Sequence, residues 1–149
     1  MCKYLELHMR YKCELYKETD YQEVIGIMKQ EKDFNIPHPN YLKDLSIVCK
    51  DKKTGKIIGF VTALVPRFAD TAYVDYLIID KKLRAKGLAG NRALKLLYDS
   101  IDTSLKILGI KHWLGHTQIY NKNLKHLYKR KEADNLGDYT LFRRTIPND

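Results

Sequence analysis

The sequence lacks the features that mark membrane, secreted and metal-binding proteins. No apolar run approaches the ~20 residues of a membrane span, and charged residues such as Lys3 and Glu6 interrupt the N-terminus where a signal peptide has its apolar core. The three cysteines, Cys2, Cys13 and Cys49, are odd in number and widely spaced, so they indicate neither a disulfide framework nor a paired-cysteine zinc site. We therefore expect a soluble cytoplasmic protein with reduced thiols and no membrane partner.

Several catalytic and metal-binding motifs are also missing from the sequence. There is no Walker-type Gly-x-x-x-x-Gly-Lys-Ser/Thr, no Gly-x-Gly-x-x-Gly and no Gly-x-Ser-x-Gly nucleophile turn. His112 and His116 have the spacing of a helical metal pair, but the residues between them are typical of a strand, where the two imidazoles would lie too far apart. The sequence thus predicts no metal site.

The length and charge of the chain limit the number of domains and the kind of partner that we expect. A chain of 149 residues with 44% hydrophobic content is expected to form a single domain over residues 1–149 with its own core. Lys and Arg together number 27 against 18 Asp and Glu, a formal net charge of +9, which favours anionic partners such as a nucleotide-like cofactor, an acidic substrate or nucleic acid.

The order of hydrophobic patterns predicts an alternating α/β chain. Thr19 to Gln22 fits a capping box with Thr19 as N-cap, which begins a first helix. A stretch from Phe34 to Leu42 is expected to be loop or short helix, and the most secure helix runs from Gly87 to Gly109. A further helix is predicted for Asn121 to Lys131. The predicted strands cover Arg10 to Tyr16, Leu45 to Lys50, Lys56 to Val65, Thr71 to Asp80, Ile110 to Thr117 and Tyr139 to Ile146.

The segment from Leu77 to Gly90 is an apolar strand, a basic glycine-bearing turn and the start of a helix. The first turn of a helix has N–H groups without partners, the helix dipole adds partial positive charge there, and glycine lets an anion approach the main chain. This order predicts a pyrophosphate cradle. Its backbone runs through Arg84, Ala85, Lys86, Gly87, Leu88, Ala89 and Gly90, with charge supplied by the Arg84 and Lys86 side chains.

Two motifs in this sequence resemble those of the GNAT superfamily of N-acetyltransferases. Arg84-x-x-Gly87-x-Ala89, between a strand and a helix, is similar to the family's acetyl-CoA signature, and Asn121-x-x-Leu124-x-x-Leu127-Tyr128 is similar to its later Asn-x-x-Ala-x-x-Leu-Tyr helix. The resemblance implies a GNAT-like α/β (α+β) fold: a central, mixed, mostly antiparallel sheet flanked by helices, with a splayed strand pair that binds the cofactor. It implies transfer of acetyl from acetyl-CoA, as co-substrate, to a primary amine in a ternary complex without a metal.

The resemblance also implies roles for individual residues. Backbone groups of Leu77, Ile78 and Ile79 would pair with the pantetheine arm beside a bulge, and an N–H near Leu77 would polarise the thioester carbonyl. Tyr128 would donate a proton to the departing thiolate, and Asn121 would help to hold the pantetheine or the strand ends.

Asp75 is the candidate for the group that accepts the proton of the amine. It lies two residues before Leu77, so strand alternation places both side chains on one face. Tyr73, Tyr76 and Asp80 are nearby competitors for this role.

The acceptor amine, whether small molecule or protein, and homodimerisation are left open. The alternative function is that of a catalytically idle, basic GNAT-like module that binds nucleic acid or another anion through a cluster of basic residues. That cluster consists of Lys122, Lys125, Lys129, Arg130 and Lys131.

Overall fold

A computed structural model describes residues 10–31, 45–67, 70–115 and 122–131 and the single positions 133, 134, 136 and 147. The chain divides into two compact units, Met1–His116 and Thr117–Asp149, each of which is described by itself. Among the described residues no helix has both the length and the apolar character needed to cross a lipid bilayer.

The first unit is built on a five-stranded sheet in which the strands lie in sequence order. Strands β1 to β4 pair antiparallel, and β5 pairs parallel with β4. The strands are β1 (Tyr11–Leu15), β2 (Leu45–Asp51), β3 (Ile57–Leu64), β4 (Thr71–Ile79) and β5 (His112–Gly115). The expected mixed, mostly antiparallel sheet is therefore confirmed.

Within the described ranges, three helices accompany the sheet in the first unit, and one lies in the second. They are α1 (Tyr21–Met28), the short α2 (Lys81–Arg84), the long α3 (Leu88–Ile107) and, in the second unit, α4 (Lys122–Arg130). The strand predicted for Tyr139 to Ile146 and the loop from Phe34 to Leu42 lie outside the described residues.

The core has a layer on each face of the sheet. Helix α1 packs Val24 and Met28 against Val48, Phe60 and Ile78, which alternate with residues pointing to the other face. That other face meets α3: a Cβ added to Gly59 would lie 2.8 Å from the Ile78 carbonyl oxygen and 3.0 Å from Leu97 Cδ1, so glycine fits where β3 packs against both β4 and α3. Burial on both sides explains why β2 and β3 are apolar along most of their length.

The start of α1 differs from the capping box expected at Thr19. A turn of 3₁₀-helix over Glu18–Asp20 precedes α1, and the Asp20 carboxylate accepts a hydrogen bond from the Lys17 N–H at 2.9 Å. Asp20 is also ion-paired with Lys50 at 3.5 Å. The prediction was wrong because this carboxylate, one residue after Thr19, is buried beside a cation from β2, a contact that local sequence does not reveal.

Helix α3 offers a direct test of the core. Leu97 is fully buried, whereas Ile107 on the same helix is 80% exposed. Leu97→Ala should lower the free energy of unfolding by about 2–5 kcal/mol because it leaves a cavity in a packed layer, while Ile107→Ala should change it by less than about 0.5 kcal/mol. Urea denaturation of both variants measures the difference, and equal effects would contradict the assigned packing.

Candidate active site

A β-bulge at Asp75 shapes the strand that leads into the candidate site. Thr62 on β3 pairs with Tyr76, but its neighbour Ala63 pairs with Val74, so Asp75 is an extra residue on β4. As a result Val74 and Leu77 lie on the same face of the sheet. The expectation that Asp75 and Leu77 share a face by simple alternation does not hold across this bulge.

Beyond the bulge, β4 has a described neighbour on one side only. Its described pairing with β5 extends to Val74 and Gly115, the last described residue of β5, whereas its pairing with β3 continues to Ile79. The Asp80 N–H donates to the Ile58 carbonyl at 2.7 Å. Because hydrogen-bonded residues alternate along an antiparallel ladder, the peptide groups of Ile78 point to β3.

The peptide groups of Leu77 and Ile79 consequently point away from β3, towards the side of β4 on which β5 lies. Of the three backbone positions predicted to meet the pantetheine arm, Leu77 and Ile79 are thus the two whose N–H and carbonyl groups are directed there.

The turn between α2 and α3 carries a row of adjacent peptide N–H groups. Within the part of the chain that the structure describes, the N–H groups of Gly87, Leu88, Ala89 and Gly90 make no hydrogen bond, and Asn91 is the first residue to bond back, to the Gly87 carbonyl at 3.0 Å. No side chain caps the start of α3. The predicted cradle therefore has its donors together at the N-terminal end of a 20-residue helix.

Two glycines make this turn possible. Gly87 has φ +57° and ψ −101°, a conformation that L side chains rarely adopt, and a Cβ built on it would have no heavy atom within 4 Å. A Cβ on Gly90 would lie 2.7 Å from the Leu83 carbonyl oxygen. Gly90 thus lets α2 and α3 pack closely, and the open space at Gly87 suits the approach of an anion to the main chain.

The carboxylate of Asp80 has a structural task at this turn. It accepts hydrogen bonds from the Lys82 N–H at 2.8 Å and from Gln30 Nε2 at 3.1 Å, and Gln30 Oε1 in turn accepts from the Lys81 N–H at 2.8 Å. Asp80 therefore caps α2 and joins it to the segment after α1. These bonds occupy the carboxylate that was a competitor of Asp75 for proton transfer.

The Arg84 guanidinium is paired with a carboxylate in this structure. Its partner is Glu31, just beyond the end of α1, and both side chains are about one third exposed. An ion pair with this exposure stabilises by at most about 1 kcal/mol, so a diphosphate bound at the turn could compete for Arg84. Neither Gln30 nor Glu31 was among the residues predicted from the sequence, since nothing in their local pattern indicates contact with a turn fifty residues away.

The tyrosines that compete with Asp75 for proton transfer are poor bases. Burial, with a smaller contribution from the Asp75 charge, raises the pKa of both Tyr73 and Tyr76 above the ordinary value for tyrosine. Their hydroxyls therefore stay protonated at neutral pH. Asp75 itself is an exposed residue at the bulge.

The remaining predicted site residues belong to the second unit. Tyr128 is half-buried on α4, one residue after the fully buried Leu127, and Asn121 lies outside the described residues. The exposed Lys125, Lys129 and Arg130 occupy the same helix.

The sheet, the bulged strand and the uncapped glycine turn are the architecture of an acyl-CoA-dependent transferase. The sequence matches the acetyltransferase (GNAT) family over residues 3–131, and the chain belongs to this family. The predicted class of enzyme, an acetyl-CoA-dependent N-acyltransferase, is confirmed at this level. No curated protein sequence matches the chain significantly.

Solved structures of N-acetyltransferases share the fold at low sequence identity. An aminoglycoside acetyltransferase from an uncultured soil metagenomic sample is 16% identical with a TM-score of 0.70, covering 95% of this chain and 99% of its own. The ribosomal-protein-alanine N-acetyltransferase from Escherichia coli is 16% identical with a TM-score of 0.64, and the match covers 81% of this chain and 76% of the other. An aminoglycoside N-acetyltransferase in complex with CoA is 15% identical with a TM-score of 0.65, covering 91% and 95%.

Proposed function

We propose that the chain binds acetyl-CoA along the side of β4 that faces away from β3 and at the turn before α3, and transfers the acetyl group to a primary amine by direct attack. The observation that carries the proposal is the row of N–H groups from Gly87 to Gly90, which have no partner within the described residues, at the end of a bulged strand. Acetyl-CoA supplies the acetyl group as an activated thioester. The roles below belong to this chain's own residues.

The turn before α3 would hold the pyrophosphate. Its N–H groups from Gly87 to Gly90 converge at the positive end of the α3 dipole, and the exposed Lys86 lies in the same turn. The main chain provides the directed hydrogen bonds. Lysine and arginine side chains add charge, and Arg84 would contribute fully once released from Glu31.

The side of β4 that faces away from β3 would orient the pantetheine arm and the thioester. The peptide groups of Leu77 and Ile79 are directed there and can pair with an extended amide-bearing chain as an added strand would. A donor placed where negative charge develops stabilises the transition state more than the ground state. We assign this role to the Leu77 N–H, two residues beyond the bulge.

Two proton transfers complete the reaction. Asp75, exposed at the bulge, would accept a proton from the attacking ammonium, directly or through water. Tyr128 would give a proton to the departing thiolate, with Asn121 helping to hold the pantetheine or the strand ends. Both assignments to the second unit rest on the resemblance of α4 to the family's asparagine–tyrosine helix.

The acceptor can be found by following CoA release. The names of the structural neighbours include aminoglycosides and the alanine of a ribosomal protein as acceptors, so the shared fold does not select one. A panel of primary amines, comprising aminoglycosides, polyamines, amino acids, amino sugars and peptides, should be tested with acetyl-CoA while free thiol is monitored. Failure of the folded chain to bind CoA in calorimetry would overturn the proposal.

A nucleic-acid-binding module remains the alternative, because Lys125, Lys129 and Arg130 are exposed on one helix. Binding to DNA or RNA that weakens steeply with salt and is unaffected by excess CoA, in a chain that does not release thiol, would favour this alternative.

The glycine turn allows a matched test of the cradle. Gly87 and Gly55 both have positive φ and open space around the position of a Cβ, but Gly55 lies in the β2–β3 hairpin. Each change to glutamate should cost about 1–3 kcal/mol of folding stability through backbone strain. We expect Gly87→Glu alone to weaken CoA binding, by roughly 100-fold or more, since it also places a negative charge at the helix N-terminus. Calorimetry measures both dissociation constants, and equal affinities would refute the cradle.

The Arg84–Glu31 pair predicts a gain of affinity. Glu31→Gln releases the guanidinium for the pyrophosphate, so CoA should bind up to about 5-fold more tightly, as expected for a surface ion pair worth at most about 1 kcal/mol. Glu18→Gln removes the same charge from an exposed position in the 3₁₀ turn and serves as the control. Weaker binding by Glu31→Gln would instead mean that the pair supports the cradle.

The proton-transfer roles predict changes in turnover. Tyr128→Phe should reduce kcat by roughly 100-fold with little change in KM for acetyl-CoA, as for loss of a general acid. Asp75→Asn should reduce kcat/KM for the amine and leave CoA affinity unchanged. Tyr11→Phe, which removes a buried hydroxyl on β1, is the control. Steady-state kinetics with the best amine measures all three, and unchanged kcat in Tyr128→Phe would remove the role.

A further inference from the structure

Two cysteines that are far apart in the sequence face each other across neighbouring strands. Cys13 on β1 is the register partner of Cys49 on β2. On either side of them, Lys52 N–H donates to the Arg10 carbonyl at 2.8 Å and Tyr16 N–H donates to the Ser46 carbonyl at 2.9 Å. Hydrogen-bonded and non-hydrogen-bonded pairs alternate in an antiparallel ladder, so Cys13 and Cys49 form a non-hydrogen-bonded pair.

Such a pair brings its side chains especially close. The Cα atoms of a non-hydrogen-bonded pair are about 4.5 Å apart, which falls inside the range of about 4.4–6.8 Å that a disulfide spans. A side-chain hydrogen bond between the two thiols shifts the pKa of each of them. Neither cysteine forms a disulfide in this structure.

The two thiols differ in access. Cys49 is fully buried, whereas Cys13 is half-buried and lines a groove of about 400 Å³ between β1 and α3. Ser100, Thr103 and Ser104 of α3 line the same groove, and Ser100 is hydrogen-bonded to Cys13. An oxidant small enough to enter this groove therefore meets Cys13 first.

The hydrogen bonds also shift the pKa values of the two thiols in opposite directions. Those from Cys49 and Ser100 lower the pKa of Cys13, against the opposing effect of its burial. The bond to Cys13 and burial raise the pKa of Cys49. Thiolate character and access coincide at Cys13, the combination that makes a cysteine reactive.

We propose that Cys13 and Cys49 are a redox-active dithiol that a hydroperoxide converts reversibly into a disulfide between β1 and β2. The Cys13 thiolate attacks one peroxide oxygen, the O–O bond breaks, and the leaving oxygen takes a proton; Cys13 is left as the sulfenic acid. The Cys49 sulfur then attacks the Cys13 sulfur, and hydroxide departs with the Cys49 proton as water. With hydrogen peroxide, two thiols and one peroxide give one disulfide and two waters.

The bond would link the edge strand of the sheet to its neighbour and close a loop containing α1, Gln30 and Glu31. A disulfide that spans native geometry stabilises chiefly by restricting the unfolded chain. The proposal is independent of acetyl transfer, since none of its residues belongs to the turn before α3 or to the part of β4 beyond the bulge.

The test is oxidation of the whole folded chain with hydrogen peroxide, followed by alkylation, intact-mass measurement and non-reducing peptide mapping. We expect a mass loss of two hydrogen atoms, a peptide linking Cys13 to Cys49, and a fall from three alkylatable thiols to one, Cys2. The melting temperature should rise by roughly 5–15 °C for a loop of this length. A dithiol reductant should reverse all of these changes.

Two variants identify the pair. Cys2→Ser should behave as the original chain, whereas Cys13→Ser should show neither the linked peptide nor the rise in melting temperature. Addition of two oxygen atoms at Cys13 without a crosslink, a crosslink to Cys2 or between chains, or no reaction under conditions that oxidise an exposed thiol would each overturn the proposal. Oxidation that forms the bond but lowers the melting temperature would refute the unstrained geometry argued above.

Discussion

The register shift at Asp75 is the constraint on which the arrangement of the candidate site depends. One extra residue on β4 lets Val74 and Leu77 pack on the same face of the sheet, so the core continues through the irregularity. Beyond the shift, the peptide groups of Leu77 and Ile79 point away from β3. The bulge therefore precedes the part of β4 whose outward peptide groups we propose to bind the ligand.

Charge at the turn before α3 is divided between main chain and side chains. The N–H groups from Gly87 to Gly90 have no competing partner among the described residues, whereas Arg84 is held by Glu31 and Asp80 by Gln30. The main-chain donors need no rearrangement before they meet an anion, which makes them preorganised. The contacts of Gln30 and Glu31 also connect the segment that follows α1 to this turn. An anion that binds Arg84 would therefore break the contact between Arg84 and Glu31.

The sequence predicted those parts of the fold that depend on local pattern. Alternating and apolar runs predicted β1 to β5 within a few residues, and the basic glycine-bearing segment predicted the turn before α3. Local pattern did not predict the cap by Asp20, the short α2, the contacts of Glu31 or the pairing of Cys13 with Cys49. The cap by Asp20, the contacts of Glu31 and the pairing of the two cysteines join residues that tertiary packing or strand register brings together. Only the assembled sheet determines these neighbours.

The proposed site, which is made mainly of peptide groups, would explain how the fold and its turn can be recognised at low identity. Backbone N–H groups require only that a bulky side chain be absent at Gly87 and Gly90, so most neighbouring positions can vary while the donors remain. A fold shared at 16% identity is compatible with this. Recognition of the acceptor amine depends instead on side chains, and the chemistry of a side chain changes with each substitution. The family and the turn can therefore be assigned from sequence and geometry, whereas the amine must be identified by measuring which one the chain acetylates.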